Sequence, residues 1–244
     1  MPFLAAATPG DCFQMAIEAC RIAVKYMTPV LLLSDGFLGI GSEPWRVPEV
    51  SQLPKFPPSK LPAPDKFKPY LRDPETLARP WALPGMPGYE HRVGGLEKAD
   101  VTGAVSYDPE NHERMCRLRQ AKIDKVASEI PPIEVLGPKR GKVLVLGWGS
   151  TYGAVTAAVS RLQAKGESVA CAHLRYLNPL PSDLGQVLSR YERVLVPELN
   201  LGQLVHVLRS RYLLDIQGLH KVKGLSFKVA EIENAVMALL AGHA

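Results

Sequence analysis

The stretch Lys142-Val-Leu-Val-Leu-Gly-Trp-Gly-Ser-Thr151 decides the fold. Four consecutive apolar residues, Val143 to Leu146, read as a strand buried on both faces. The glycine-spaced residues after them turn the chain into an amphipathic helix pattern, with Val155, Ala158, Val159 and Leu162 on one face. That order puts backbone N–H groups at a helix start beside the carboxyl end of a sheet, where α/β proteins gather ligands or partners. Working outward, strands are expected at 142–147, 168–174 and 193–197, and helices at about 151–165, 181–190, 201–214 and 229–241. Strands alternating with helices imply a parallel sheet with right-handed crossovers over residues 140–244.

Upstream the pattern changes twice. In residues 1–43, Thr8-Pro9-Gly10-Asp11 supplies a cap, a first-turn proline and an acidic residue three positions from the cap. Phe13, Ala16, Ile17, Cys20, Val24 and Met27 then fall on one helical face, and Thr28-Pro29 ends the helix. Val30 to Leu33 follows as a strand that needs cover on both sides, more than one helix can give, so the segment reads as the tail of a larger domain. Residues 44–108 carry twelve prolines, which withhold backbone donors and disfavour regular sheet or long helix. A flexible linker is one reading. Phe56, Phe67, Tyr70, Trp81, Leu83, Met86 and Tyr89 favour the other, an extended arm lying on a surface. Pro84-Gly-Met-Pro-Gly88 and Gly94-Gly95 predict sharp turns, with a hairpin across Tyr89 to Val93. Asp108 and Pro109 then open a connecting helix to about Glu129, with Met115, Leu118, Ile123 and Val126 as its apolar arc.

Composition excludes several functions. The net charge of +5 comes from basic residues scattered among acidic ones, without a nucleic-acid-binding motif, so no nucleic-acid partner is expected. No apolar run approaches the ~20 residues of a membrane span, and the N-terminus lacks a signal-peptide pattern; a cytoplasmic location is expected. Cys12, Cys20, Cys116 and Cys171 form no C-x-x-C and have no histidine at zinc spacing, and Cys20 and Cys171 read as small hydrophobes. The six histidines, His91, His112, His173, His206, His220 and His243, include no H-x-x-x-H pair.

Four places could carry chemistry. Gly147 to Gly153 reads G-x-G-x-x-x-G, one position off the dinucleotide fingerprint, and no acidic residue ends the next strand. A tight turn used for packing or partner contact, over Gly147, Trp148, Gly149, Ser150 and Thr151, competes with a nucleotide site there. Ser150 lacks the G-x-S-x-G spacing of a hydrolase elbow. Glu198-Leu-Asn200 ends a strand at the sheet's carboxyl edge, where Asn200 could instead cap the next helix. His91 and Arg92, beside the glycine turns, offer a cation pair to an anionic substrate or acidic partner. No complete catalytic set emerges.

Three blocks together resemble one family, the α subunits of 2-oxoacid:ferredoxin oxidoreductases, especially the 2-oxoglutarate branch. They are Asp11 to Ala16 with Thr28 to Asp35; Pro84 to Glu97 with Asp108 to Glu113; and Val145 to Thr151 with His173 to Leu177. The resemblance covers essentially the whole chain but only the C-terminal portion of the family's subunit. It implies the end of a thiamine-pyrimidine-binding domain at 1–43, a proline-rich arm and connecting helix at 44–139, and a transketolase-C-terminal-like parallel α/β domain at 140–244. The implied reaction is oxidative decarboxylation of a 2-oxoacid with CoA to acyl-CoA, CO2 and reduced ferredoxin. Thiamine diphosphate, Mg2+ and an iron–sulfur cluster would be held mainly by the β subunit and none by this chain alone. The β subunit and an N-terminal part of the α subunit would be its partners, with ferredoxin and CoA at the level of the complex. Within the chain the resemblance points to an arm of Gly85, Pro87, Gly88, His91 and Arg92 contacting substrate or subunit. Two other readings share parts of the pattern: a component of another thiamine-dependent transketolase or dehydrogenase, and a non-catalytic binding module.

Overall fold

The computed structural model describes residues 1–58 and 61–242, so His243 lies outside the described residues. The chain divides into two compact units: Met1–Pro2, Ala16–Leu31 and Val47–Glu129 in the smaller, and Phe3–Met15, Leu32–Arg46 and Ile130–Ala244 in the larger.

The larger unit is built on the opening stretch. Strand β4 (Gly141–Trp148) lies at the centre of a five-stranded sheet with β3 (Val135–Leu136), β5 (Val169–Leu174), β7 (Tyr191–Glu198) and β8 (Ile216–His220), in the order β3-β5-β4-β7-β8. All pairings are parallel except β3 with β5. The pleat sends Val143 and Val145 to one face and Leu144 and Leu146 to the other, and all four have no solvent exposure. On the first face they meet Val155, Ala158, Val159 and Leu162 of α4 (Tyr152–Ala164) and Ile232, Val236 and Leu239 of α7 (Val229–Leu240). On the second they meet Leu184, Val187 and Leu188 of α5 (Leu184–Leu188) and Leu204, Val205 and Leu208 of α6 (Gln203–Tyr212). Helix cover on both sides is why an unbroken apolar run is stable here.

Three differences from the sequence reading have physical causes. Strand β8 was not foreseen because Gln217, Gly218 and His220 dilute the apolar signal; only Ile216 is fully buried. The helix expected at 181–190 shrinks to five residues. Pro181 to Asp183 form a turn in which the Asp183 carboxylate accepts the Ile133 N–H at 3.1–3.2 Å. A second sheet of β2 (Leu31–Leu33), β1 (Phe3–Ala5) and β6 (Tyr176–Asn178), in the order β2-β1-β6, rests on pairing between distant segments of only three residues each.

Helix α1 (Asp11–Tyr26) starts where expected, with Thr8 Oγ1 accepting the Asp11 N–H at 3.2 Å. Its buried stripe is different, running Asp11, Met15, Ile22 and Tyr26, and Cys20 is exposed rather than packed. Tertiary partners select the face. In the smaller unit the Tyr26 hydroxyl reaches Glu129, which also takes Arg21 at 2.5 Å and Lys25 at 2.8 Å, while Trp81 donates its indole N–H to the Val24 carbonyl at 2.8 Å. Leu31 and Leu33, on edge strand β2, are 43% and 36% exposed, so the cover that strand demands does not come from the described residues.

The proline-rich arm forms no strand or α-helix between Val47 and Tyr107, only two short 3-10 turns among its described residues. Side chains and isolated bridges stitch it instead. Arg79 and Arg72 stack on the Tyr70 ring at 4.6 and 5.8 Å, and Asp73 Oδ1 accepts the N–H groups of Glu75 and Thr76. Helix α3 (Pro109–Val126) follows, capped by Asp108, and buries Met115, Lys122, Ile123 and Val126; Leu118 stays half-buried and Lys122 takes its place in the arc.

Candidate functional site

In the larger unit, β4 leads through α4 to β5 on one side, whereas β7 leads to β8 on the other. The loops after β4 and β7 therefore part at the carboxyl edge, opening the crevice where doubly wound sheets hold ligands. Here the protein's own carboxylate occupies that position. Glu198 is fully buried and accepts from Trp148 Nε1 at 3.2 Å, Asn200 Nδ2 at 3.1 Å, and the N–H groups of Leu204 (3.0 Å) and Val205 (3.1 Å) at the start of α6. An anion at a helix start is favoured by the free N–H groups and the helix dipole. The role expected of Asn200 as the helix cap thus passes to Glu198. A carboxylate offers two oxygens and a full charge, and Asn200 Oδ1 is spent on the Gly202 N–H at 2.7 Å.

The glycine turn is similarly committed. Thr151 Oγ1 accepts the Trp148 N–H at 3.1 Å and donates to the Trp148 carbonyl at 2.8 Å, and the Ser150 hydroxyl donates to Asp35. Gly147, Ser150 and Thr151 are buried, while Trp148 and Gly149 are half-buried. Gly149 has φ +60°, which only glycine adopts without strain. A cavity of about 410 Å³ lies beside the end of β5, lined among others by Thr8, Glu134, Tyr152, His173, Arg175 and Tyr176. Burial, aided by the nearby Arg175 charge, pushes the His173 imidazole down to about 4, so the ring is neutral at pH 7. It packs edge-on against Tyr152 at 5.0 Å, and its shielded ring nitrogens make no well-formed hydrogen bond. Arg175 is held by buried Asp11 at 2.7 Å.

In the smaller unit the predicted arm is a shaped loop. Gly85 (φ +89°) and Gly88 (φ +82°) allow successive turns around Pro87, and a Cβ on Gly88 would fall 2.9 Å from Pro64 Cβ. Tyr89 donates its hydroxyl to the Pro62 carbonyl at 2.8 Å, and Phe67 packs against both Tyr89 (5.1 Å) and His91 (5.6 Å). No hairpin forms across Tyr89 to Val93; the nearest ladder contact is Lys98 with Val105. The reason is an unforeseen residue, Lys98. Its buried ammonium donates to the carbonyls of Gly94 (3.0 Å) and Leu96 (2.5 Å), spending acceptors a hairpin would use. His91 and Arg92 consequently part company. His91 turns inward with Nδ1 2.9 Å from the Tyr89 carbonyl, whereas Arg92 is exposed beside Val93, itself 84% exposed. Only the sharp glycine turns were readable in advance; nothing local marks Lys98 as buried.

Comparison with known proteins shows what this chain is similar to. Residues 1–107 match the family described as pyruvate flavodoxin/ferredoxin oxidoreductase, thiamine diphosphate-binding. The chain is 54% identical over 241 residues to the 2-oxoglutarate oxidoreductase subunit KorA of Mycobacterium tuberculosis, covering 98% of this chain and 37% of that protein. It is 32% identical over 208 residues to the 2-oxoacid:ferredoxin oxidoreductase 1 subunit alpha of Aeropyrum pernix, covering 79% of this chain and 31% of the relative. The chain is homologous to part of a 2-oxoacid:ferredoxin oxidoreductase α subunit. A 2-oxoglutarate:ferredoxin oxidoreductase from Magnetococcus marinus, solved with 2-oxoglutarate, coenzyme A and succinyl-CoA bound, superposes with a TM-score of 0.91 at 30% identity. That match covers 98% of this chain and 42% of the Magnetococcus chain, so the α-subunit homologue spans well under two thirds of these proteins. Its α/β architecture is the one the family resemblance implied. Among the described residues no helix is long and apolar enough to cross a membrane.

Proposed function

We propose that this chain forms part of the α subunit of a 2-oxoacid:ferredoxin oxidoreductase whose 2-oxoacid is 2-oxoglutarate. In that reaction the C1 carboxylate leaves as CO2, the remaining acyl group is transferred to CoA as a thioester, and two electrons pass to ferredoxin. The observation that carries the reading is 54% identity along 98% of the chain to a 2-oxoglutarate oxidoreductase subunit. Thiamine diphosphate supplies the carbon chemistry in this family. The reading assigns its diphosphate, the Mg2+ and an iron–sulfur cluster to the β subunit. Among the described residues no group of three or more His, Cys, Asp or Glu is arranged to hold a metal ion, and the hydroxyls of the Gly147–Thr151 turn are spent internally.

The division at 1–43, 44–139 and 140–244 belongs to the same proposal: end of a pyrimidine-binding domain, arm with connecting helix, and transketolase-C-terminal-like domain. Within it, Arg92 is the anion contact, carried by a loop whose backbone Lys98 has already shaped. The cost of ordering that loop is met before a partner arrives. Trp148 and Gly149 contribute assembly surface. The test is reconstitution with the β subunit and the remaining α-subunit segment, assayed for reduction of a low-potential acceptor. Dependence on both CoA and 2-oxoglutarate, with pyruvate a much poorer substrate, is expected; indifference to either defeats the proposal. Arg92→Ala should raise KM for the 2-oxoacid or weaken assembly. If turnover, affinity and assembly are all unchanged, Arg92 has no such role.

A further inference from the structure

A cluster outside the arm's candidate contact residues carries its own chemistry. On α3, His112, Cys116 and Arg119 are spaced i, i+4 and i+7, which brings them onto one helical face. Glu97, from the end of the arm, meets that face: His112 Nδ1 is 2.7 Å from Glu97 Oε2, and Arg119 Nη1 donates to Glu97 Oε1 at 3.1 Å. His112 Nε2 then lies 3.6 Å from Cys116 Sγ, and Arg119 Nη2 donates to the same sulfur at 3.0 Å. The thiol is exposed.

We propose that Cys116 is a reactive surface thiol that exchanges with low-molecular-weight disulfides and carries a removable thiol adduct. The parts have distinct roles. Glu97 accepts a hydrogen bond from Nδ1–H and so leaves Nε2 with its lone pair toward sulfur, the arrangement that activates nucleophiles. The hydrogen bond from His112, with Arg119 adding to it, holds the Glu97 carboxyl below the usual carboxylate range, so it remains ionised to do this. Proton transfer from Sγ to Nε2 gives a thiolate flanked by imidazolium and guanidinium. Two neighbouring carboxylates are paired elsewhere, Glu113 with Arg117 at 2.5 Å and Asp100 with Arg114 at 2.9 Å, and the cations Arg72 and Lys122 act on Arg119.

The thiolate attacks one sulfur of R–S–S–R. A Cys116–S–S–R bond forms, the original S–S bond breaks, and RS⁻ leaves to take a proton from the imidazolium or from solvent. Cys116 is oxidised to the disulfide level and half of the reagent is reduced to thiol; excess thiol reverses the step. The exposed helix face presents no converging backbone donors, so acyl transfer, which develops an oxyanion, lacks the support it needs. Disulfide exchange develops charge only on sulfur.

Cys20 is the internal control: it is also exposed, and among the described residues no hydrogen bond joins it to histidine or arginine. The full chain is treated at pH 7 with a limiting aromatic disulfide, and modification is quantified for each cysteine by peptide mass. Cys116 should react about tenfold faster than Cys20, and the preference should vanish in denaturant. His112→Ala and Arg119→Met should each slow Cys116 by roughly three- to tenfold while leaving Cys20 unchanged, and excess thiol should remove the adduct. A wild-type Cys116 no faster than Cys20 overturns the proposal whatever the variants do. So does a preference that survives both substitutions in chains whose circular dichroism is unaltered.

Discussion

The sheet of the larger unit and the arm of the smaller one are held together by different means. The sheet is redundant: Val143 to Leu146 are covered on both faces by residues from four helices, and each contact is backed by others. The arm depends on single clips, Tyr89 to the Pro62 carbonyl, Trp81 to the Val24 carbonyl and Lys98 to Gly94 and Leu96. Sheet positions should fail globally and arm positions locally, because cooperative unfolding follows buried apolar contact whereas isolated polar clips open alone.

The largest effect is expected at Glu198. Glu198→Ala leaves the Leu204 and Val205 N–H groups and the Trp148 indole N–H unpaired inside the sheet's carboxyl edge, and should cost ~3–5 kcal/mol in denaturant unfolding. A loss below about 1 kcal/mol would mean that water replaces the carboxylate without penalty. Next comes acid sensitivity. Folded His173 takes its proton near 4 against 6.5 for the free group, so between these values the unfolded state binds more protons. Its contribution is fully present above pH 6.5 and is lost as pH falls toward 4, by up to roughly 3 kcal/mol. His173→Leu should flatten the stability curve in that window; an unchanged slope assigns the acid loss to other groups.

In the smaller unit the signs differ. Burial, with Arg72, Arg79 and Arg119 adding to it, lowers the Lys122 ammonium from 10.5 to about 8, although it donates to the Met27 carbonyl at 3.1 Å. The folded state therefore pays for that charge below pH 8, and the penalty is relieved as pH rises from 8 toward 10.5. Lys122→Met should stabilise the protein at pH 7 by about 1–2 kcal/mol after allowance for partial solvation, and a lowered Tm would contradict this. Lys98→Met should leave the Tm nearly unchanged yet speed proteolysis within residues 92–96, since only those carbonyls lose a donor. Tyr89→Phe should weaken local protection by about 1 kcal/mol, detected as faster amide exchange between Pro62 and His91 without a global shift.

The same contrast governs what could be read from the sequence. Strands β4, β5 and β7 and helices α4, α6 and α7 were legible because both faces of each strand are apolar and each helix shows a 3.6-residue stripe. Strand β1 and the burial of Tyr26 depend on partners more than a hundred residues away, Tyr176 to Asn178 and Glu129, which no local window contains. The arm's turns were visible in Gly85 and Gly88, but its shape was not, because it turns on a lysine placed inward against the usual preference of its side chain. The cluster at Cys116 was half legible: the spacing of His112, Cys116 and Arg119 is present in the chain, and only the fold brings Glu97 to it.

The most direct test follows 2-oxoglutarate labelled in its C1 carboxylate in a complex assembled with and without this chain. CoA-dependent release of labelled CO2, coupled to acceptor reduction and absent when the chain is omitted, is the predicted result. Equal release from both preparations would contradict the account.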